Sequence, residues 1–231
     1  MRGIGTKLIL VFAVFSFSSN SFADGMKSPM IEPNCTNWKT ISLNKNNWEV
    51  AYDGYGEVTF DKGLKLMPKS AFEKDKTHAA LVLTKEMISA KKFAIRINYA
   101  NEKQLRSPAA NPWEVFWLFF NYKKGEKDDK NTNYFIFKPN GTELGTASGQ
   151  VEQSFLSSDE TAKAKLGENY ELKLFRINDS IQAYINGKSV MNYLDKENKL
   201  INQDGQIGLY TEDALVKIKK VEVCSHFSES F

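Results

Sequence analysis

The sequence predicts an all-β protein built from short antiparallel strands packed as a sandwich or barrel. Three observations predict it: aromatic residues make up 13% of the chain, short apolar segments recur between turn signals, and no long helical pattern intervenes. Aromatic and β-branched side chains favour strands that pack face to face, and many short strands are typical of sandwiches and barrels. The predicted strands are Trp48–Tyr52, Glu57–Phe60, Leu64–Met67, Ala79–Thr84, Phe93–Tyr99, Trp113–Tyr122, Tyr134–Lys138, Val151–Phe155, Tyr170–Ile177, Ile181–Ile185, Gln206–Tyr210 and Leu215–Val223.

Turn signals separate these segments. Asn186-Gly187 tolerates the positive φ angles of a tight hairpin, and Pro139-Asn140-Gly141 ends the strand before it because proline cannot donate a ladder hydrogen bond. The apolar alternation of the last segment changes phase near Lys219-Lys220, which predicts a β-bulge there. One short helix is predicted, over Ser157–Leu166.

The first 23 residues have the pattern of an export signal. Basic Arg2 and Lys7 precede the apolar run Leu8–Phe15, and a small, polar stretch ends at Ala23. An apolar core this short does not span a bilayer, so no stable membrane insertion is expected after cleavage. The sequence thus predicts a signal peptide at residues 1–23 and a single β-sandwich domain at 24–231, secreted or periplasmic. Cleavage lowers the net charge from +3 to about +1, which leaves no electrostatic footprint for nucleic acid.

Two cysteines, Cys35 and Cys224, lie near the two ends of the exported part. In an oxidising compartment two thiols predict one disulfide. Sandwiches often bring their terminal strands together, which makes this pairing reachable. The alternative is a pair of buried free thiols.

The segment Trp113–Tyr122 is the most informative, because both of its faces are apolar and it should lie centrally between two layers. Glu114 on that segment would be costly to bury alone, and Lys138 on the next strand is in phase to lie opposite it. Two interpretations stay open: a structural ion pair, or a polar site that binds sugar hydroxyls or transfers protons. Glu143, after the Gly141 turn, could approach Glu114 across the hairpin.

Aromatic side chains near these groups are the candidates for stacking on a sugar ring. Trp113, Trp117 and Tyr134 join Glu114 and Lys138 as predicted ligand-binding residues, although such side chains on alternating strands also build cores. Glycoside cleavage usually needs two carboxyl groups roughly 5–10 Å apart, and no predicted strand carries such a pair.

Other reaction classes lack their motifs. The two histidines have no zinc-binding spacing, and neither a nucleophile elbow nor a phosphate-binding glycine loop is present. No cofactor is predicted apart from a possible structural calcium ion held by loop oxygens, for which Asp213 is a weak candidate.

Several motifs together carry a resemblance to a known group. They are Pro112-Trp113-Glu114 with Trp117, Tyr134–Gly145, Leu166–Tyr170, Tyr184–Lys188 and Gly205–Asp213. The stretch from Asn111 to Val223, about half of the exported chain, resembles concanavalin A-like sandwich domains of the 3-keto-disaccharide hydrolase-like and laminin G-like group. The resemblance implies a two-sheet antiparallel jelly-roll whose concave sheet often holds a saccharide. It is also similar in shape to family 16 glycoside hydrolases, but their catalytic Glu-x-Asp-x-x-Glu strand has no counterpart in this sequence. Glu114, Lys138 and Glu143 lie on positions that match the motifs of the resemblance, and they are the catalytic candidates that it implies.

Three functions compete at this stage. The leading hypothesis is an exported carbohydrate-binding or glycan-processing protein with a saccharide or polysaccharide on its concave sheet. The second is a polysaccharide hydrolase or lyase that uses Glu114. The third is a non-catalytic protein-interaction module, which an exposed apolar patch in place of a polar groove would favour.

Overall fold

The computed structural model describes residues 32–73, 76–124, 130–148 and 151–228, and the predicted signal peptide lies outside these residues. The described residues form strands, turns and loops, and none of their segments is a helix able to cross a membrane. The strands are β1 Asn34–Cys35, β2 Lys39–Thr40, β3 Trp48–Tyr52, β4 Glu57–Thr59, β5 Leu64–Met67, β6 Ala79–Ile88, β7 Lys92–Gln104, β8 Phe116–Lys124, β9 Lys130–Lys138, β10 Gly141–Ser148, β11 Val151–Asp159, β12 Asn169–Ile177, β13 Ser180–Ile185, β14 Lys188–Leu194, β15 Gly205–Glu212, β16 Ala214–Cys224 and β17 Phe227–Ser228.

The strands form two large antiparallel sheets, which confirms the predicted sandwich. The seven-stranded sheet has the order β11-β10-β9-β8-β15-β6-β3. The eight-stranded sheet has the order β14-β13-β12-β7-β16-β5-β4, with β2 paired to β16 as its eighth strand. The short strands β1 and β17 pair with each other.

Strand alternation divides the seven-stranded sheet into two faces. Phe116, Leu118 and Phe120 of β8 are buried in a core that also contains Ile95 and Leu174 of the opposite sheet. The intervening side chains of β8 point away from that core and belong to a separate buried cluster. We call the face of the seven-stranded sheet that is turned away from the eight-stranded sheet the outer face.

The predicted turns are confirmed. Asn186 and Gly187 both have positive φ, at 50° and 76°, and join β13 to β14 in a two-residue hairpin. Gly141 (φ 139°) begins β10 directly after the Pro139-Asn140 turn. The pairing of β16 with β7 shifts register between Ile218 and Lys220, where the sequence predicted a bulge.

The predicted helix over Ser157–Leu166 is wrong. Its first residues continue β11, where Ser157 pairs with Leu144 and Asp159 with Thr142 of β10. The rest of the segment is turn and loop. Helix propensity is a weak preference that tertiary context overrides, and here the ladder with β10 supplies the backbone hydrogen bonds.

Arg176 links the two sheets at one end of the sandwich. It extends from β12 into the space between the sheets, where Nη1 donates to Asn121 Oδ1 of β8 at 2.7 Å and to the Ile201 carbonyl at 2.8 Å. Asn133 of β9 donates to the same two oxygens. Burial lowers the pKa of the Arg176 guanidinium to about 10, since little water remains to solvate its charge.

The predicted disulfide between Cys35 and Cys224 is confirmed, with the two Cα atoms 6.5 Å apart. The disulfide holds the segment that contains Trp38 against the eight-stranded sheet. There the Trp38 indole contacts the Phe175 ring, and its centroid lies 4.4 Å from the Arg96 guanidinium. This cluster covers the side of the eight-stranded sheet that faces away from the core.

Replacing both cysteines by serine should lower the free energy of unfolding by at most about 5 kcal/mol, because the bond closes a very long loop. Urea denaturation monitored by tryptophan fluorescence measures the change. Reduced wild-type protein is the control and should show the same midpoint as the double variant. An unchanged midpoint in both would contradict this role for the bond.

A buried hydroxyl group gives a second stability prediction. Tyr99 Oη is buried in the core without a hydrogen-bond partner, and burial raises the pKa of its hydroxyl far above the ordinary value. Tyr99→Phe should therefore leave the free energy of unfolding unchanged or raise it, because removing an unsatisfied polar group costs nothing. The matched control is Tyr170→Phe, which removes an acceptor of the Lys165 N–H at 2.8 Å and should cost about 1 kcal/mol. Equal losses in both variants would contradict the prediction.

Candidate functional site

The centre of the outer face is a cluster of aromatic rings around Trp117. The Trp117 ring lies 5.0 Å from the Tyr134 ring and 5.7 Å from the Tyr210 ring, measured between centroids. Phe119 stacks on Tyr210 at 4.6 Å. Trp117 is only 3% exposed. These four rings therefore form a rigid layer on the outer face, and we call Trp117, Phe119, Tyr134 and Tyr210 the aromatic floor.

Two glycines let these rings lie along the sheet. Gly145 of β10 pairs with Tyr134, and a Cβ atom at Gly145 would overlap the Tyr134 ring and hydroxyl. Gly208 of β15 pairs with Phe119, and a Cβ atom there would lie 2.9 Å from the Phe119 Cβ. Side chains at these two positions would push the rings away from the strands.

Polar groups border this floor on one side. Glu143 Oε1 accepts a hydrogen bond from the Tyr134 hydroxyl at 2.9 Å, and Oε2 accepts one from Lys138 Nζ at 2.5 Å. Burial and then the charge of Glu143 raise the pKa of the Tyr134 hydroxyl, which stays a donor. Each carboxylate oxygen has two acceptor sites, so Glu143 keeps acceptor capacity for another hydroxyl group.

A second tyrosine–glutamate pair lies on the opposite side of Trp117. The Tyr210 hydroxyl donates to Glu212 Oε1 at 2.5 Å, and burial raises its pKa, followed by the charges of Glu212 and Tyr52. From Glu143 on β10 to Glu212 on β15 there are three inter-strand steps, or about 14 Å at roughly 4.8 Å per step. This spacing exceeds what a paired acid and nucleophile use in glycoside cleavage.

Glu114 lies elsewhere, and its expected pairing with Lys138 is wrong. It precedes β8, which begins at Phe116, so strand alternation does not set its direction. Its Oε1 accepts hydrogen bonds from Arg106 Nε and from Asn111 Nδ2, while Lys138 pairs with Glu143. Glu114 is fully buried and does not approach Glu143 as the sequence suggested.

Asp213, the weak calcium candidate, completes the same ion-pair network. Its Oδ2 accepts from Arg106 Nη2 at 2.6 Å and its Oδ1 from the His78 backbone N–H at 3.0 Å. Burial, and to a smaller extent the charge of Glu114, raises the pKa of Asp213. A calcium ion at this carboxylate would meet the Arg106 guanidinium. Within the described residues no group of three or more metal-ligating side chains is found.

The remaining candidates are therefore divided between two environments. Trp117, Tyr134, Lys138 and Glu143 come together on the outer face. Trp113 lies just before β8 and is 44% exposed, and its carbonyl accepts a hydrogen bond from Trp117 Nε1 at 2.8 Å.

Sequence reasoning missed part of the outer face. Tyr210 and Glu212 were noted only within a motif typical of the fold, and Gly145 only as the end of another. The signal that identifies them is the strand phase: on β15, Tyr210 and Glu212 alternate with the core residue Leu209 and so share the face of Trp117.

No protein-family model matches the chain, and no curated protein matches it in sequence. Several solved structures are similar in fold. The carbohydrate-binding module CBM66 from Bacillus subtilis has a TM-score of 0.58 at 15% identity, covering 78% of this chain and 96% of that one. The Emp46p carbohydrate recognition domain in its potassium-bound form has a TM-score of 0.59 at 10% identity, covering 82% and 99%. The VIP36 exoplasmic/lumenal domain, bound to Ca²⁺ and Man3GlcNAc, has a TM-score of 0.59 at 8% identity, covering 80% and 86%.

At these identities the comparisons show the fold. The chain has the lectin-like sandwich that the sequence resemblance implied. The finer subgroup, 3-keto-disaccharide hydrolase-like or laminin G-like, stays a prediction.

The Arg106 network predicts an effect of pH on stability. Arg106→Met leaves two buried carboxyl groups without their counter-charge and should lower the free energy of unfolding by about 3–5 kcal/mol at neutral pH. The loss should shrink as the pH is lowered from neutrality, because protonation removes the unpaired charge. The folded-state pKa of Asp213 is raised, so the folded protein binds more protons than the unfolded chain, and its stability falls as the pH rises from the unfolded-state pKa to the folded-state pKa.

Thermal and urea unfolding at several pH values measure this effect. The control is the triple variant Arg106→Met, Glu114→Gln, Asp213→Asn, in which this network carries no buried charge and its contribution to the pH dependence should disappear. A single variant as stable as the wild type at pH 7 would show that the ion pairs do not hold these loops.

Proposed function

We propose that this is an exported carbohydrate-binding protein whose ligand lies on the outer face of the seven-stranded sheet, beside Trp113, Lys138 and Glu143. The observation that carries the proposal is the Tyr134–Glu143–Lys138 cluster next to the aromatic floor. Small-molecule sites combine apolar and aromatic walls with a few positioned polar groups. Sugar rings offer both an apolar face and hydroxyl groups to such a surface.

In this proposal the predicted residues have different roles, according to how exposed they are. Trp113 is exposed enough to contact a sugar ring, and Glu143 and Lys138 retain some exposure at the edge of the floor. Trp117 and Tyr134 are buried, so in this proposal they position the contacting groups. Tyr134 holds the Glu143 carboxylate, and Trp117 holds the Trp113 backbone.

The fold comparisons support the same function at a coarser level. Two of the similar structures are named a carbohydrate-binding module and a carbohydrate recognition domain, and a third contains Man3GlcNAc. The disulfide and the signal-like N-terminal sequence support a secreted or periplasmic location.

The hydrolase or lyase alternative gains no support from Glu114. Its carboxylate is buried and bonded to Arg106 and Asn111, away from the Glu143 cluster. Glu212, a second described carboxylate on this face, lies three strands from Glu143, which is farther than the spacing that cleavage needs. Binding without cleavage is therefore the proposed activity.

The test is glycan-array screening of the folded protein, followed by calorimetric titration of the glycans that bind. Trp113→Ala and Glu143→Gln should each weaken binding by about tenfold, equivalent to about 1.4 kcal/mol. Trp38→Ala and Glu222→Gln are matched controls, because these residues lie on the outward side of the eight-stranded sheet, and both should bind like the wild type.

Two results would overturn the proposal in different ways. Unchanged affinity in folded Trp113→Ala and Glu143→Gln variants would remove the outer face as the binding site. Failure of the wild type to bind any glycan would overturn carbohydrate binding and favour the protein-interaction alternative.

A further inference from the structure

A cavity of about 300 Å³ lies on the eight-stranded sheet, between strand β16 and the turn that joins β4 to β5. The Glu143 cluster belongs to the opposite sheet. The charged side chains that line the cavity are four lysines and two acids, namely Lys62, Lys65, Lys217, Lys219, Glu57 and Asp61. Lysines outnumber acids by two in this lining, so the cavity carries an excess of positive charge.

The β-bulge of β16 increases the number of lysines on the outward side of the sheet. The pairing of β16 with β7 skips Lys219, which lies between Ile218 and Lys220. Ile218 and Val221 both pack in the core, whereas regular alternation after Ile218 would turn Lys220 inward. The bulge therefore leaves Lys219 and Lys220 exposed side by side.

The turn between β4 and β5 approaches this bulge closely at Gly63. Gly63 has a φ of 124°, and a Cβ atom there would lie 2.6 Å from the Ile218 carbonyl oxygen. A residue with a side chain would push the turn away from β16. The glycine therefore brings Lys62 into the same cavity as Lys217 and Lys219.

Two of the lining lysines already form ion pairs. Lys65 Nζ lies 2.8 Å from Glu57 Oε1. Lys217 Nζ lies 3.3 Å from Oε1 of Glu102, which is outside the cavity lining. An ammonium group has three N–H donors, so each of these lysines keeps donors for a ligand.

The other two lysines have no acidic partner within the described residues. Lys219 Nζ donates to the uncharged Asn169 Oδ1 at 2.6 Å, and Lys62 is exposed at the turn. Exposed Asp61 offsets part of their charge, but the balance of the lining stays positive. Lys62 and Lys219 are therefore the charges available to an anionic ligand.

Phosphate has the charge and the acceptors that this cavity fits. A phosphate monoester carries about −1.5 to −2 charges at pH 7 and three strong acceptor oxygens, and lysine binds such groups as a point charge. This charge matches the excess of two lysines in the lining. The cavity volume is at the lower end of the range of small-ligand pockets, roughly 300–1,000 Å³, which leaves room for a small organic group beside the phosphate.

We propose that this cavity binds a phosphate group between Lys62 and Lys219, either as free inorganic phosphate or on a small phosphate monoester. The site is separate from the proposed glycan site and does not depend on it. Because the lysines are exposed, salt should screen the attraction and weaken the binding.

The experiment is calorimetric titration of the folded protein with inorganic phosphate and with glycerol 3-phosphate at low ionic strength, with glycerol as the uncharged comparison. Lys62→Gln and Lys219→Gln should each weaken phosphate binding by about fivefold. Glu57→Gln removes a negative charge from the lining and should strengthen binding by a similar factor. The matched control is Lys188→Gln, which removes a lysine exposed on β14 at the other edge of the same sheet and should bind like the wild type.

Two outcomes support the site and identify its ligand: tighter binding of glycerol 3-phosphate indicates an ester, and tighter binding of inorganic phosphate indicates the free ion. Failure of the wild type to bind either compound, or equal affinity for glycerol, would overturn the proposal. Unchanged affinity in folded Lys62→Gln and Lys219→Gln, or an equal loss in Lys188→Gln, would also overturn it, since the phosphate would then bind outside this cavity. Glycan binding is tested separately by Trp113→Ala and Glu143→Gln, so the two proposals succeed or fail independently.

Discussion

The structure depends on one constraint of strand geometry: β8 is apolar on both faces, but the opposite sheet covers only one of them. Phe116, Leu118 and Phe120 fill the core between the sheets. Strand alternation then forces Trp117 and Phe119 onto the outer face. Large aromatic rings on such a face have a high cost in water, and Gly145 and Gly208 allow neighbouring rings to lie against the strands and against one another. The aromatic floor is thus a consequence of how the core is built.

Two buried arginines hold the ends of this sandwich in different ways. Arg106 is bonded to the carboxylates of Glu114 and Asp213, which fixes the loops before β8 and after β15. Arg176 instead donates to the side-chain oxygen Oδ1 of Asn121 and to the backbone carbonyl oxygen of Ile201, and joins the sheets at the opposite end of β8. A buried charge is stable only when its donors are satisfied. Both networks therefore restrict the backbone on either side of the aromatic floor, and a binding surface benefits from such rigidity because less order is lost on binding.

The sequence predicted those features of the site that depend on residues close together in the chain, and it missed those that depend on distant segments. Alternation within β8 and β9 identified Trp117 and Tyr134, and the hairpin after Pro139 brought Glu143 into consideration, because these relations span few residues. Glu114 was misplaced because it lies outside the strand, and its partner Arg106 belongs to a loop without periodicity. The position of the Tyr210–Glu212 pair depends on strand order across the sheet, which β15 enters from a distant part of the chain. The prediction of a helix over Ser157–Leu166 was wrong for the same reason, because β11 forms its hydrogen bonds with β10, which the local sequence does not reveal.

Strand order also bears on the proposed function, which is binding without cleavage. Two of the described carboxylates on the outer face, Glu143 and Glu212, each accept a hydrogen bond from a tyrosine on a neighbouring or the same strand. Acid–base cleavage needs two carboxyl groups that act on one bond, whereas recognition needs acceptors distributed along a ligand. Because the rings of Tyr134, Trp117 and Tyr210 lie between the two glutamates, moving the carboxylates together would require rebuilding the floor. The same rings that give the sheet its second apolar face therefore keep its acids apart.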